Sequence, residues 1–293
     1  MYNYHAFVQH SGQTATKTFT VEFQQSEETA MPKIQVKDVN FYYELHGNGP
    51  SLILVSGYTS DHTVWESCID LLKDHFQVLV FDNQGVGQTE DHNKKLSAEE
   101  MADNTMELAA SLGLQNPYIA GVSMGGTIAQ RIATRHGNKI NKVALLVTVA
   151  KWRRAMLLGL RTPLTMREKG LDFEDIFHSV LSWVYGEEFL LNKQKIANLK
   201  QKILDNPYLQ SLENQQRQFN VLSEFDGRKD LSQIKAPTMV LYTTEDVIAL
   251  PYEAQFLAKH IPDSTLIECP GGHGIALERP EVVADHFKQF FLG

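Results

Sequence analysis

The chain has 293 residues, 43% of them hydrophobic and 21% charged, with a formal net charge of -8. That composition excludes a fibrous or wholly disordered polymer and gives nucleic-acid phosphates no electrostatic attraction. Two cysteines, Cys68 and Cys269, are too few for a disulfide framework, and apolar runs such as 143–150 fall far short of the roughly 18 to 20 residues that span a bilayer.

Residues 1–30 are polar and aperiodic and are expected to form an appended arm ahead of a single domain over 31–293. They carry no basic patch followed by an apolar stretch, so the expected location is the cytoplasm. From Lys33 onward, strand-like runs at 34–43, 51–56, 77–81, 117–121 and 142–148 interleave with helical patterns at about 64–73, 98–112 and 124–136. This βαβα order predicts a mostly parallel sheet covered by helices on both faces. After Ala150 the rhythm breaks, and residues 151–225 read as several helices without a strand. Strand and helix then return at 238–242, 252–260, 264–268 and 281–291. The fold class is therefore α/β with a helical insertion, expected to cap the domain.

Gly121-Val122-Ser123-Met124-Gly125-Gly126 stands where a strand ends and a helix begins. This G-x-S-x-G spacing suits a turn too sharp for bulky neighbours, which lifts a serine hydroxyl above the sheet. A hydroxyl is a weak nucleophile near neutral pH and needs a base. Of the 11 histidines, His273 in the glycine-rich loop Gly271-Gly272-His273-Gly274 is the best placed, whereas His136 and His260 fall near helix ends, where capping accounts for them. The third member is a carboxylate that orients the imidazole. Asp246, just past an apolar strand, completes the Ser, Asp, His order, with Glu245 its adjacent rival. Two backbone N–H groups for an oxyanion are expected from Met124 and from Tyr58, in the loop Ser56-Gly57-Tyr58.

These motifs resemble the α/β-hydrolase superfamily, in particular its small esterases, enol-lactonases and cofactor-free haloperoxidases with a helical lid. Asp82-Asn83-Gln84-Gly85-Val86-Gly87-Gln88-Thr89 is similar to that family's D-x-R-G-x-G-x-S loop, and the likeness extends over about residues 31–292. Two positions depart from the pattern: Ser56 where histidine is usual, and Gln84 where arginine is usual. The resemblance implies an eight-stranded, mostly parallel sheet. It also implies cleavage of an ester, lactone or thioester through an acyl-enzyme on Ser123, or carbon–carbon bond hydrolysis or haloperoxidase chemistry with the same three residues. A ligand-binding protein without catalysis is the third possibility.

The insertion is expected to set substrate choice, with Trp152 and Trp183 as candidate pocket residues. Its first part holds Lys151, Arg153, Arg154, Arg161, Arg167 and Lys169 against one acid, Glu168. That bias suits either a solvated helix face or a dock for an anionic substrate or acidic carrier protein; the resemblance makes this concrete as an enol-lactone carboxylate or an acyl-carrier-protein ester. No H-E-x-x-H or paired Cys/His spacing suggests a metal, and no cofactor is implied.

Overall fold

A computed structural model describes residues 32–92 and 94–293; the arm expected over 1–30 lies outside the described residues. The run anticipated as one strand at 34–43 is a hairpin of β1 (Lys33–Val36) and β2 (Val39–His46). Val36 pairs with Val39 across a two-residue turn in which Lys37 takes φ 55°. Neither turn residue is a glycine or asparagine, so no ordinary signal marks the break. Lys37 is fixed instead by its Nζ, which donates to Asn104 Oδ1 at 3.1 Å.

The rest of the sheet is parallel. In chain order come β3 (Ser51–Val55), α1 (Glu66–Leu72), β4 (Gln77–Phe81), α2 (Ala98–Ser111), β5 (Tyr118–Val122), α3 (Met124–Arg135) and β6 (Val143–Leu146). Five helices follow: α4 (Arg154–Glu168), α5 (Phe173–Val184), α6 (Glu187–Leu191), α7 (Lys193–Asp205) and α8 (Leu212–Glu224). The chain closes with β7 (Thr238–Thr243), α9 (Pro251–His260), β8 (Ser264–Cys269), α10 (Ile275–Glu278) and α11 (Pro280–Leu292). The strands lie in the order β1-β2-β4-β3-β5-β6-β7-β8, antiparallel only at β1/β2 and β2/β4.

Burial on both faces explains the unbroken apolar runs of the central strands. In β3, Leu52 and Leu54 point to a layer with Trp65, Leu72 and Phe287, while Ile53 and Val55 point to the layer of Met101, Ile128 and Leu257. Helix starts follow local chemistry. Ser97 Oγ accepts the Glu100 N–H ahead of α2, Asp172 Oδ1 accepts that of Asp175 ahead of α5, and prolines open α9 and α11.

The segment carrying α4–α8 leaves the sheet after β6 and returns before β7. Its ends meet: Gly227 N donates to Ala150 O at 2.8 Å, beside an antiparallel bridge between Lys151 and Asp226. Among the described residues, no helix is long and apolar enough to cross a membrane.

Candidate active site

Ser123 sits between β5 and α3 with φ 56° and ψ -117°, a conformation costing a non-glycine residue about 1–3 kcal/mol. Its surroundings enforce it. Ser123 N donates to Leu146 O at 2.9 Å, Thr148 Oγ1 donates to Ser123 O at 2.7 Å, and the same carbonyl accepts Gly126 N at 3.0 Å. The flanking glycines are required by contact: a Cβ at Gly121 would overlap Gly125 O, and one at Gly125 would overlap Val55 O. The turn can be this tight only without those side chains, and it leaves the Ser123 hydroxyl half-buried at the sheet's carboxyl edge.

His273, in the loop after β8, brings Nε2 to 2.9 Å from Ser123 Oγ and Nδ1 to 2.8 Å from Asp246 Oδ2. Asp246, 2% exposed, follows β7. Its other oxygen accepts the Ile248 and Ala249 N–H groups at 2.7 and 2.8 Å. A carboxylate can only accept, so Nδ1 carries the imidazole proton and Nε2 is left to accept from the serine hydroxyl. Glu245, the rival in sequence, faces elsewhere: its Oε2 accepts Glu187 N at 2.8 Å.

The histidine loop rests on a carboxylate that the sequence reading missed. Glu278 accepts Gly272 N at 3.1 Å and Gly186 N at 3.1 Å, and burial pushes its carboxyl above the ordinary range. The α5–α6 junction presses on this loop: Gly274 N donates to Val184 O at 2.7 Å, and a Cβ at Gly274 would stand 2.7 Å from the Tyr185 ring.

The loop after β3 runs beside the serine, since a Cβ at Gly57 would lie 3.3 Å from Ser123 Cβ and 3.8 Å from its Oγ. Gly57 O accepts Ser60 N at 3.3 Å, whereas the N–H groups of Tyr58 and Met124 meet no backbone acceptor among the described residues. The Tyr58 side chain turns toward α8, its ring centroid 6.5 Å from that of Phe219, and burial raises its hydroxyl to about 12. Ser56 is fully buried. Gln84, in the usual arginine position, is also buried, and its Oε1 accepts Asn104 Nδ2 at 2.9 Å.

Of the two tryptophans anticipated at the substrate, one is buried and the other is open to solvent. Trp152 is core: it is 2% exposed and its Nε1 donates to Thr127 Oγ1 at 3.1 Å. Trp183 packs its ring over the Gly159 backbone on α4 and stays 41% exposed. Val184, Tyr185 and Gly186 of the insertion lie against the histidine loop. The basic start of the insertion is largely engaged internally: Lys151 pairs with Asp226 at 3.0 Å, Arg153 with Glu253 at 2.9 Å and Arg161 with Glu168 at 2.9 Å, while Arg167 donates to Gln210 O at 2.6 Å. Among the described residues, no group of three His, Cys, Asp or Glu side chains is arranged to hold a metal ion.

The family profile described as alpha/beta hydrolase fold matches residues 50–280. The chain is 25% identical to a protein named as a carbamate hydrolase, RutD, of Azorhizobium caulinodans, over 90% of this chain and 97% of that one. It is 30% identical to the AB hydrolase superfamily protein YisY of Bacillus subtilis, over 86% and 95%. Among solved structures, a thermophilic esterase from Thermogutta terrifontis superposes with a TM-score of 0.78 at 26% identity, covering 89% of this chain and 98% of that one.

Proposed function

The chain belongs to the α/β hydrolase fold family, and on that footing we propose that it is a serine hydrolase that cleaves a carboxylic ester, lactone or thioester of a small to medium acyl group. The observation that carries this is the continuous hydrogen-bonded line from Ser123 Oγ through the His273 ring to Asp246, at 2.9 and 2.8 Å.

In the proposed reaction, Ser123 Oγ attacks the acyl carbonyl carbon while its proton passes to His273 Nε2. The Asp246 carboxylate stabilises the imidazolium so formed. Negative charge on the former carbonyl oxygen is met by the N–H groups of Tyr58 and Met124. Among the described residues these meet no backbone acceptor, which leaves both available to the oxyanion. Collapse of the tetrahedral intermediate expels the alcohol, which takes the proton from Nε2. Water, deprotonated by the same nitrogen, then attacks the acyl-enzyme, and Ser123 leaves with the proton returned.

Helices α4–α8 act as a cap in this proposal, supported by the contacts of Val184 and Gly186 with the histidine loop. The substrate is a free small molecule rather than a carrier-borne one, because Lys151, Arg153 and Arg161 already face acidic partners.

The test is release of p-nitrophenol from acetyl, butyryl and octanoyl esters by wild type and Ser123→Ala. Turnover in wild type that vanishes in Ser123→Ala supports the mechanism, and the chain-length profile sizes the acyl pocket. The name of the RutD relative favours one second class, so a p-nitrophenyl N-methylcarbamate belongs in the series: sustained turnover would shift the proposal to carbamates, and a single stoichiometric burst would keep it with esters. No cleavage of any of these would favour a binding protein instead.

A further inference from the structure

The loop that carries Tyr58 is held from the cap side. Gln218 on α8 is fully buried, and its amide makes three bonds: Oε1 accepts Thr59 N at 3.1 Å and Gln210 Nε2 at 3.0 Å, while Nε2 donates to Gln84 O at 2.9 Å. Thr59 N–H can only donate, which fixes which end of the amide faces it. Thr59 itself has φ 62°, in the left-handed region that a β-branched residue enters rarely and only when its surroundings compel it.

The two peptide groups around Tyr58 are thus pinned separately. In the peptide joining Gly57 to Tyr58, the carbonyl accepts Ser60 N at 3.3 Å, which turns the Tyr58 N–H in the opposite direction. In the peptide joining Tyr58 to Thr59, the N–H is held by Gln218. Without the second restraint the strained Thr59 can relax, and the rotation is transmitted through Tyr58 to the first peptide. Gln84 O is the third corner: the same glutamine ties the Tyr58 loop to the Asp82–Thr89 loop, at the position where an arginine is usual.

We propose that Gln218 is a positioning residue for the oxyanion-binding N–H of Tyr58, so that seating α8 of the cap assembles the oxyanion site. This rests on the serine hydrolase reading and adds a dependence of the transition state, rather than of substrate binding, on a cap residue. A hydrogen-bond donor displaced by a fraction of an ångström loses most of its effect on developing charge while ground-state contacts are little changed.

The experiment compares wild type with Gln218→Met, which keeps the side-chain length and removes the amide. It reads kcat and KM on p-nitrophenyl butyrate and the affinity of an alkyl trifluoromethyl ketone, which binds serine hydrolases as a tetrahedral adduct. The expected result is a kcat lower by about tenfold or more, a KM within about threefold, and ketone affinity falling in proportion to kcat/KM. Ketone affinity equal to wild type, or a loss confined to KM, would overturn the proposal.

Should Gln218→Met not fold, Gln218→Asn decides: it keeps an amide but draws the acceptor back from Thr59 N by one methylene, so kcat and ketone affinity should fall together while KM stays within about threefold. A kcat and ketone affinity equal to wild type would overturn the proposal. An active wild type with unaffected Gln218 variants sinks this inference alone. A wild type that neither cleaves esters nor binds the ketone sinks the serine hydrolase reading and this inference with it.

Discussion

Glu278 accepts the backbone N–H of Gly186 at 3.1 Å, and its carboxylate also accepts the N–H of Gly272, the residue before His273. One buried side chain therefore joins the α5–α6 junction of the insertion to the loop that presents the imidazole. Burial is the largest influence on its carboxyl, which lies above the ordinary 4.5, with Glu245 adding to the rise and Arg279 and the two N–H groups opposing it. The folded protein thus binds this proton more tightly than the unfolded chain. Its contribution to stability is full below about pH 4.5 and is lost as pH rises through the higher folded value. Thermal denaturation of wild type and Glu278→Gln at matched pH should show the difference moving against wild type as pH rises above about 4.5; parallel curves would contradict this. Glu278→Ala, which orphans two buried N–H groups, should lose about 1–3 kcal/mol of stability below about pH 4.5, and less as pH rises.

Asp246→Asn should lower kcat on p-nitrophenyl butyrate by about a thousandfold or more, because an amide can donate to Nδ1 and so favours the wrong imidazole tautomer. Glu245→Gln should change kcat by no more than about threefold, since its carboxylate bonds Glu187 N and not the imidazole. Steady-state kinetics on both variants separates the two adjacent acids, and equal losses would reopen the assignment.

Gly125→Ala forces a methyl group into Val55 O. The elbow cannot give way without moving β3, so a stability loss of about 1–3 kcal/mol or more is expected in denaturant titration. Activity should fall further than stability, because any relief shifts the Ser123 hydroxyl away from His273 Nε2.

Trp152→Phe removes a buried donor to Thr127 Oγ1. It should cost about 0.5–1.5 kcal/mol of stability and leave KM for short esters unchanged. Trp183→Ala should leave KM within about twofold, since that ring covers Gly159 and is half exposed to solvent. A large rise in KM for either variant would return that tryptophan to the substrate pocket.

The elbow was legible in the sequence because its requirements are local: close backbone contact at Gly121 and Gly125 demands glycine within a few residues of the serine. The chain order of serine, acid and histidine favoured Asp246 in the sequence, with Glu245 as its adjacent rival. Neighbouring residues past a strand point in different directions, and only the position of His273 selects between them. The β1–β2 hairpin was hidden because its turn, Lys37-Asp38, has no glycine or asparagine and Lys37 is held by Asn104, 67 residues away. Gln218 and Glu278 gave no signal at all, since each acts on backbone groups brought near only by tertiary folding. Gln84 did give one, as a departure from the family pattern whose partners, Asn104 and Gln218, the sequence could not name.

The decisive measurement is intact and peptide mass spectrometry of the protein quenched during turnover of p-nitrophenyl butyrate and, separately, after treatment with a fluorophosphonate. A butyryl or phosphonyl group on the peptide containing Ser123, absent from Ser123→Ala and formed far more slowly in His273→Ala, is the result expected of a serine hydrolase. An unmodified Ser123 in an enzyme that turns over esters, or turnover that persists in Ser123→Ala, would contradict it.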